Sequence, residues 1–251
     1  MLKKILTGAA IAALAVGLGA CSSTRPADGG GDAAGGGSTE CNVGIAMPTR
    51  SLERWINDGE QLQKKLQDAG CTVDLQYADN KTDQQISQIQ NQVAGGAKIL
   101  VVAAIDGETL GPVLEDATSQ GVTVIAYDRL INGTEAVDYY ATFDNYKVGT
   151  LQGQFIEDQL GLADGAGPFN FEPFAGSPDD NNAGFFFQGA WDVLQPYVES
   201  GQLVIPSGKL SATNDDWKSI GILGWGSDDA QAEMDNRLQS FYTGGQKVQV
   251  V

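Results

Sequence analysis

The stretch from Ile99 to Arg129, ILVVAAIDGETLGPVLEDATSQGVTVIAYDR, decides the fold. Ile99 to Ile105 is apolar throughout, as expected of a strand covered on both faces in a parallel sheet. Pro112 suits the first turn of a helix, where its missing N–H costs no hydrogen bond. Val122 to Tyr127 is a second β-rich run, closed by the charged pair Asp128-Arg129. Strand, helix and strand in this order make a crossover unit, the connection that parallel strands require. An α/β chain follows, with a parallel sheet covered by helices.

The same alternation extends in both directions. Upstream, Val43 to Met47 and Val73 to Tyr77 read as strands, separated by a helix whose stripe is Leu52, Trp55, Ile56, Leu62 and Leu66. Ile86, Ile89 and Val93 mark another helix behind Thr82, and the spacing from Thr82 to Gln85 predicts a capping box. Tyr139 to Phe143 is the last strand of a first lobe spanning residues 41–145. The pattern restarts in 146–251: a helix through Val148, Leu151, Phe155 and Ile156, a strand near Phe169 to Phe174, and a helix with Ala190, Val193 and Leu194. Leu203 to Ile205, a helix around Ala230 to Tyr242 and a strand starting at Lys247 continue it. The expectation is two doubly wound parallel-sheet lobes, the second incomplete, because Val250-Val251 falls inside an apolar strand. An edge strand that ends the protein is the alternative.

The N-terminus carries Lys3 and Lys4, an uncharged run from Ile5 to Ala20, and then Leu18-Gly19-Ala20-Cys21. The run is shorter than the roughly 20 residues a membrane-spanning helix needs, so residues 1–20 read as an export signal. Leu-Gly-Ala-Cys resembles the bacterial lipobox, which implies that Cys21 is acylated and anchors the protein to a membrane from outside the cytoplasm. A plain secretory signal with an incidental cysteine is the alternative. Residues 21–40, rich in Gly, Ala, Ser and Asp, read as a flexible tether.

With 15 basic and 32 acidic residues the formal net charge is −17, which excludes nucleic acid as a partner. There is no histidine, so Ser-His-Asp and Cys-His catalysis and a His-ligated zinc are excluded, and no cofactor or metal is expected. No G-x-G-x-x-G turn or Walker A sequence occurs. Of three cysteines, Cys41 and Cys71 remain once Cys21 is lipidated. Each precedes a strand, and neighbouring parallel strands would bring both to one sheet end. A disulfide there is worth roughly 3–4 kcal/mol; two free buried thiols are the alternative.

Parallel sheets gather ligands at the carboxyl ends of their strands. This chain places Arg54 and Trp55 after the first strand, Asp106 after the third, Asp128-Arg129 after the fourth, and Gly176 to Asn182 after the first strand of the second lobe. A sugar needs groups that donate and accept to vicinal hydroxyls, and apolar plates for its C–H faces. Asp128, Arg54, Arg129 and Asn182 are of the first kind; Trp55, with Phe186 or Trp225 opposite, is of the second. Each has a plainer reading. Asp128 and Arg129 make an ion pair with each other, Trp55 is a core residue, and Asp179 and Asp180 are helix caps, the role favoured for those two.

Val43-Gly44-Ile45-Ala46, Leu52-Glu53-Arg54-Trp55, Ser87-Gln88-Ile89, Ala126-Tyr127-Asp128-Arg129, Phe143-Asp144-Asn145 and Gly176-Ser177-Pro178-Asp179-Asp180-Asn181-Asn182-Ala183 occur in this order. From Asn42 to Val251 the chain resembles the periplasmic sugar-binding proteins of ABC importers, of the xylose-binding and multiple-monosaccharide-binding type. The resemblance implies two lobes joined by three crossover strands and closing on a monosaccharide by a hinge motion. It implies that Arg54, Asp128, Arg129 and Asn182 bond sugar hydroxyls and that Trp55 and Trp225 stack on the ring, with Trp217 as a substitute for Trp225. The implied partners are the permease subunits of an ABC importer, or a chemoreceptor or sensor kinase. A sugar-modifying enzyme using Asp106 and Asp128 as a carboxylate pair is a weaker reading, because arginine neighbours suit holding hydroxyls rather than cleaving a bond. Sugar-responsive DNA-binding repressors share such a core but begin with a helix-turn-helix, where this chain has the lipobox-like sequence and an acidic tether.

Overall fold

The computed structural model describes residues 41–251, so the export signal, Cys21 and the tether lie outside the described residues. Five parallel strands form the first sheet: β1 (Asn42–Met47), β2 (Thr72–Tyr77), β3 (Ile99–Val102), β4 (Thr123–Tyr127) and β5 (Tyr139–Ala141), in the order β2-β1-β3-β4-β5. The crossovers are α1 (Glu53–Asp68), α2 (Thr82–Ala94) and α3 (Gly111–Ser119), the last with Pro112 in its first turn. The apolar run that decided the fold lies between β1 and β4, with Leu100 and Val102 fully buried. One sheet face packs Leu100, Val102 and Val124 with Ile89 and Leu114 from α2 and α3; the other packs Val43, Ile45 and Met47 with Trp55 of α1. Burying each such aliphatic side chain is worth roughly 1.5–3 kcal/mol. Cys41 and Cys71, one residue before β1 and β2, form a disulfide.

The capping box at Thr82 is absent: the residue before the helix is Lys81 and no side chain caps it. Gln85 instead is fully buried, donating from Nε2 to Ala103 O (2.9 Å) and accepting from Ile105 N (2.9 Å) at Oε1. It satisfies the backbone just past the end of β3, where the ladder stops, and leaving those groups unpaired would cost more than a cap returns.

The second lobe has α4 (Asn145–Leu160), β6 (Phe169–Asn170), α5 (Asn181–Glu199), β7 (Leu203–Val204) and α6 (Ser227–Phe241). β6 and β7 are parallel, and the strand expected from Lys247 is a single parallel bridge between Phe171 and Val250. Leu162, Phe171, Trp191, Leu194, Leu203 and Ile220 form its core. Of the apolar residues that mark α4 in the sequence, Ile156 packs on the second-lobe core, but the fully buried face is another one. Leu151 and Phe155 are exposed, while Asn145, Gly149 and Gly153 are buried, the two glycines against α5. A Cβ at Gly149 would overlap the carbonyl of Phe186, and one at Gly189 of α5 would overlap that of Tyr146. The two helices meet backbone to backbone, a contact that hydropathy does not mark.

Candidate functional site

The loops after β1, β4 and β5 converge with the first turns of α5 on a cavity of about 410 Å3. Arg54, Trp55, Asp128, Arg129, Asn182, Phe186 and Trp225 all line it, together with Phe143, Asn145 and Asp180. Asp106 does not. Its Oδ1 accepts from Glu108 N at 2.8 Å, a local turn-forming bond, so it shapes the loop after β3 instead of the cavity. Trp217 lies against Gly184 and is likewise absent from the lining, which leaves Trp225 as the indole of the second lobe at the site.

Asp128 and Arg129, just past β4, have different partners and do not pair with each other. Asp128 Oδ2 accepts from Arg54 Nη2 at 2.9 Å, and the same Nη2 donates to Asp58 Oδ2 at 2.7 Å. Burial works against the Arg54 cation, but the two carboxylates outweigh it and hold the guanidinium above its usual range. Arg129 donates from Nη1 to the carbonyls of Ala104 (2.9 Å) and Ile105 (3.1 Å), past the end of β3. Its Nε is 3.2 Å from Asp180 Oδ2, close enough for an ion pair but misaligned for a hydrogen bond.

Asp180 is the N-cap of α5, accepting from Asn182 N at 3.0 Å, as the favoured reading had it. It is also a cavity residue, accepting from Trp225 Nε1 at 3.0 Å, a second role that the capping argument missed. Burial raises its pKa, and Arg129, the Asn182 amide and Trp225 offset that only in part. The signal was its place at the rim two residues before Asn182; nothing local revealed the partner 45 residues away.

Trp225 stands in a left-handed turn, φ 56° after Gly224 at 63°, with its ring on Gly176, where any side chain would overlap the indole. Phe186 meets it edge-on, ring centroids 6.4 Å apart, so the apolar wall of the second lobe is this pair. Trp55 behaves differently from a free plate. It is 2% exposed within the first-lobe core, with the Arg54 guanidinium 4.1 Å and that of Arg129 5.3 Å from its ring. The core reading holds, and the indole also supports both arginines through cation–π contact.

Three buried polar atoms of lining residues, Trp55 Nε1, Arg129 Nε and Asn145 Oδ1, have no hydrogen-bond partner among the described residues. Each guanidinium of the lining faces a carboxylate, Arg54 facing Asp128 and Arg129 facing Asp180. Unsatisfied donors and acceptors between charges already paired, walled by aromatic rings, suit a small uncharged polyol.

A family model described as "Periplasmic binding protein domain" matches residues 43–251. The chain is 54% identical over 209 residues to a multiple sugar-binding periplasmic protein of Azospirillum brasilense, covering 83% of this chain and 57% of that protein. It is 55% identical over 201 residues to a multiple sugar-binding periplasmic receptor of Rhizobium radiobacter, covering 80% of this chain and 55% of that one. A crystal structure of an ABC transporter solute-binding protein from Clostridium phytofermentans with bound β-D-glucose superposes with a TM-score of 0.79 at 50% identity, covering 84% of this chain and 64% of that one. The chain spans about half the length of the curated relatives it matches.

Proposed function

The chain belongs to the periplasmic binding protein family, and on that premise we propose that it captures a monosaccharide between its lobes and delivers it to the permease of an ABC importer. The observation that carries this is the cavity itself: unpartnered buried polar atoms, cations paired with carboxylates and an aromatic wall, on residues from both lobes. Arg54, Asp128, Arg129 and Asn182 are read as bonding hydroxyls, Asp180 as a further acceptor, and Phe186 and Trp225 as stacking on the ring. The ligand class is xylose, glucose, galactose or arabinose, in keeping with the relatives' names and the glucose bound in the Clostridium protein. The protein is read as a binder and not an enzyme, since the one imagined carboxylate pair has Asp106 outside the cavity.

Export and lipid anchoring through Cys21 fit delivery to a membrane partner from outside the cytoplasm; the intact mass of the exported protein tests this, with a diacylated N-terminal Cys21 expected. A second reading, presentation of the sugar to a chemoreceptor or sensor kinase, is favoured by the receptor designation of the Rhizobium relative.

A thermal-shift screen against D-xylose, D-glucose, D-galactose and L-arabinose tests the ligand class. At a hundredfold excess over Kd a bound sugar stabilises by about 2.7 kcal/mol, which moves Tm by roughly 5–10 °C for a domain of this size. No shift with any of them, and a clear shift with an amino acid or an anion, would overturn the sugar assignment.

A further inference from the structure

Asp128 has φ 63°, a left-handed backbone that disfavours any residue with a side chain. What holds it there is a set of bonds around one peptide. Asp128 N donates to Ala141 O at 2.8 Å, and Arg129 N to Tyr127 O at 2.7 Å. The Asp128 carbonyl oxygen has three donors about it: Asn182 Nδ2 at 2.7 Å, Tyr140 Oη at 3.0 Å and Thr142 Oγ1 at 3.1 Å. A carbonyl offers two lone pairs, so three donors oversubscribe it. Tyr140 has an alternative, because its hydroxyl is also 3.2 Å from Asn182 Oδ1, yet it carries a single proton. Burial pushes that hydroxyl above the ordinary phenol range, so the proton stays on the oxygen at neutral pH.

Tyr140 and Thr142 belong to the first lobe, as Asp128 does, whereas Asn182 opens α5 of the second. Arg129, Asp180 and Asn182 are each 5% exposed or less, so a solute reaches them only when the lobes part. Parting removes Asn182 from the Asp128 carbonyl and leaves Tyr140 and Thr142 to hold it. Meeting returns the Asn182 amide to the carbonyl and frees the Tyr140 proton for Asn182 Oδ1. That bond also fixes which way the carboxamide is turned, with its nitrogen toward Asp128.

We propose that Tyr140 is a positioning residue of the cleft: its one hydroxyl proton holds the Asp128-Arg129 peptide when the lobes are apart and clasps Asn182 when they are together. This rests on the binding reading above, and Tyr140→Phe tests it by keeping the ring and removing the proton. The first measurement needs no sugar. Spin labels at the exposed positions Lys65 and Asp235, one on each lobe, report the lobe separation; the variant is expected to shift the distribution toward longer distances, because water replaces the lost bond to Asp128 in an open cleft but not the lost bond to Asn182 in a closed one. An unchanged distribution overturns the proposal.

The second measurement is stopped-flow binding of D-glucose and D-xylose. Loss of a closed-state bond is expected to raise koff about tenfold and leave kon within about twofold, with the sugar-free Tm unmoved within about 2 °C. A Tm loss above about 5 °C alongside the weaker binding makes Tyr140 merely structural and also overturns it. If neither sugar binds the parent protein, the sugar assignment fails while the distance measurement still decides the role of Tyr140.

Discussion

Among the described residues two arginines are buried, one in each lobe, and their surroundings differ in a way that separates support from binding. Arg237 of α6 is 1% exposed and largely committed: Nε donates to Glu233 at 2.8 Å, while Nη1 donates to Pro173 O at 2.7 Å and to Glu172 at 3.2 Å. Its guanidinium lies 4.0 Å from the Phe174 ring, and Glu172, fully buried, is further satisfied by the Tyr242 hydroxyl and the Ser207 amide. Burial and then the Glu172 carboxylate push the Tyr242 hydroxyl above its usual range. Arg129 is 4% exposed, yet it has two backbone acceptors and a misaligned carboxylate, and its Nε is unpartnered among the described residues. Arg237 leaves only Nη2 unpartnered among the described residues, and its bonds to two carboxylates tie α6 to the second-lobe core. Arg129 has no aligned bond to a carboxylate and lines the cavity, so it keeps donor capacity for a solute, at a cost in stability when nothing fills it.

Substituting each arginine separates these roles. Arg237→Met strands the Glu172 charge in the second-lobe core and should lower unfolding stability in urea by about 3–5 kcal/mol. A loss below about 1 kcal/mol would break the contrast, because surface ion pairs behave that way. Arg129→Met should reduce sugar affinity in calorimetry by roughly ten- to a hundredfold, the worth of hydrogen bonds to a charged donor. Its stability loss should be smaller than that of Arg237→Met, since Arg237 gives up aligned bonds to two carboxylates and Arg129 gives up none. Equal stability losses with unchanged affinity would make Arg129 a second structural arginine.

The acidic partners sharpen the comparison with a smaller effect. Asp180 has a raised pKa, so the folded state holds its proton more tightly than the unfolded chain. Its contribution is present below the ordinary value of 3.8 and is lost as pH rises through the raised one. Glu233 is the opposite. Burial opposes its charge, but Arg237 and Lys209 outweigh that and lower its pKa, so its contribution is present above 4.5 and lost as pH falls through the lowered value. Stability measured against pH should therefore show Asp180→Asn gaining on the parent as pH climbs out of the acid range. Glu233→Gln should close its deficit as pH falls. Slopes of the same sign would contradict the assignment.

The strands and their order of appearance were legible because hydrophobic period and turn residues are local properties. The run from Ile99, Pro112 in the first turn of α3 and the cysteines before β1 and β2 are where the pattern puts them. The misreadings share one cause. Gln85 looked like a cap because Thr82 is three residues away, but its amide serves Ala103 and Ile105, brought close by the sheet. The glycine face of α4 carries no hydropathy to read, and Trp55 showed its size without showing that two guanidiniums would lie on it.

The sequence by itself determined an α/β chain with polar residues after its strands, Asp128-Arg129 and Asp180 to Asn182 among them, since neighbours along the chain decide where a strand stops. Only the tertiary structure decided which of those groups face one another. Asn182 reaches the Asp128 carbonyl across 54 residues, and Asp180 sits beside Arg129 across the cavity. Such pairings depend on how the two sheets bring their loops together in space, a distance that no local preference encodes.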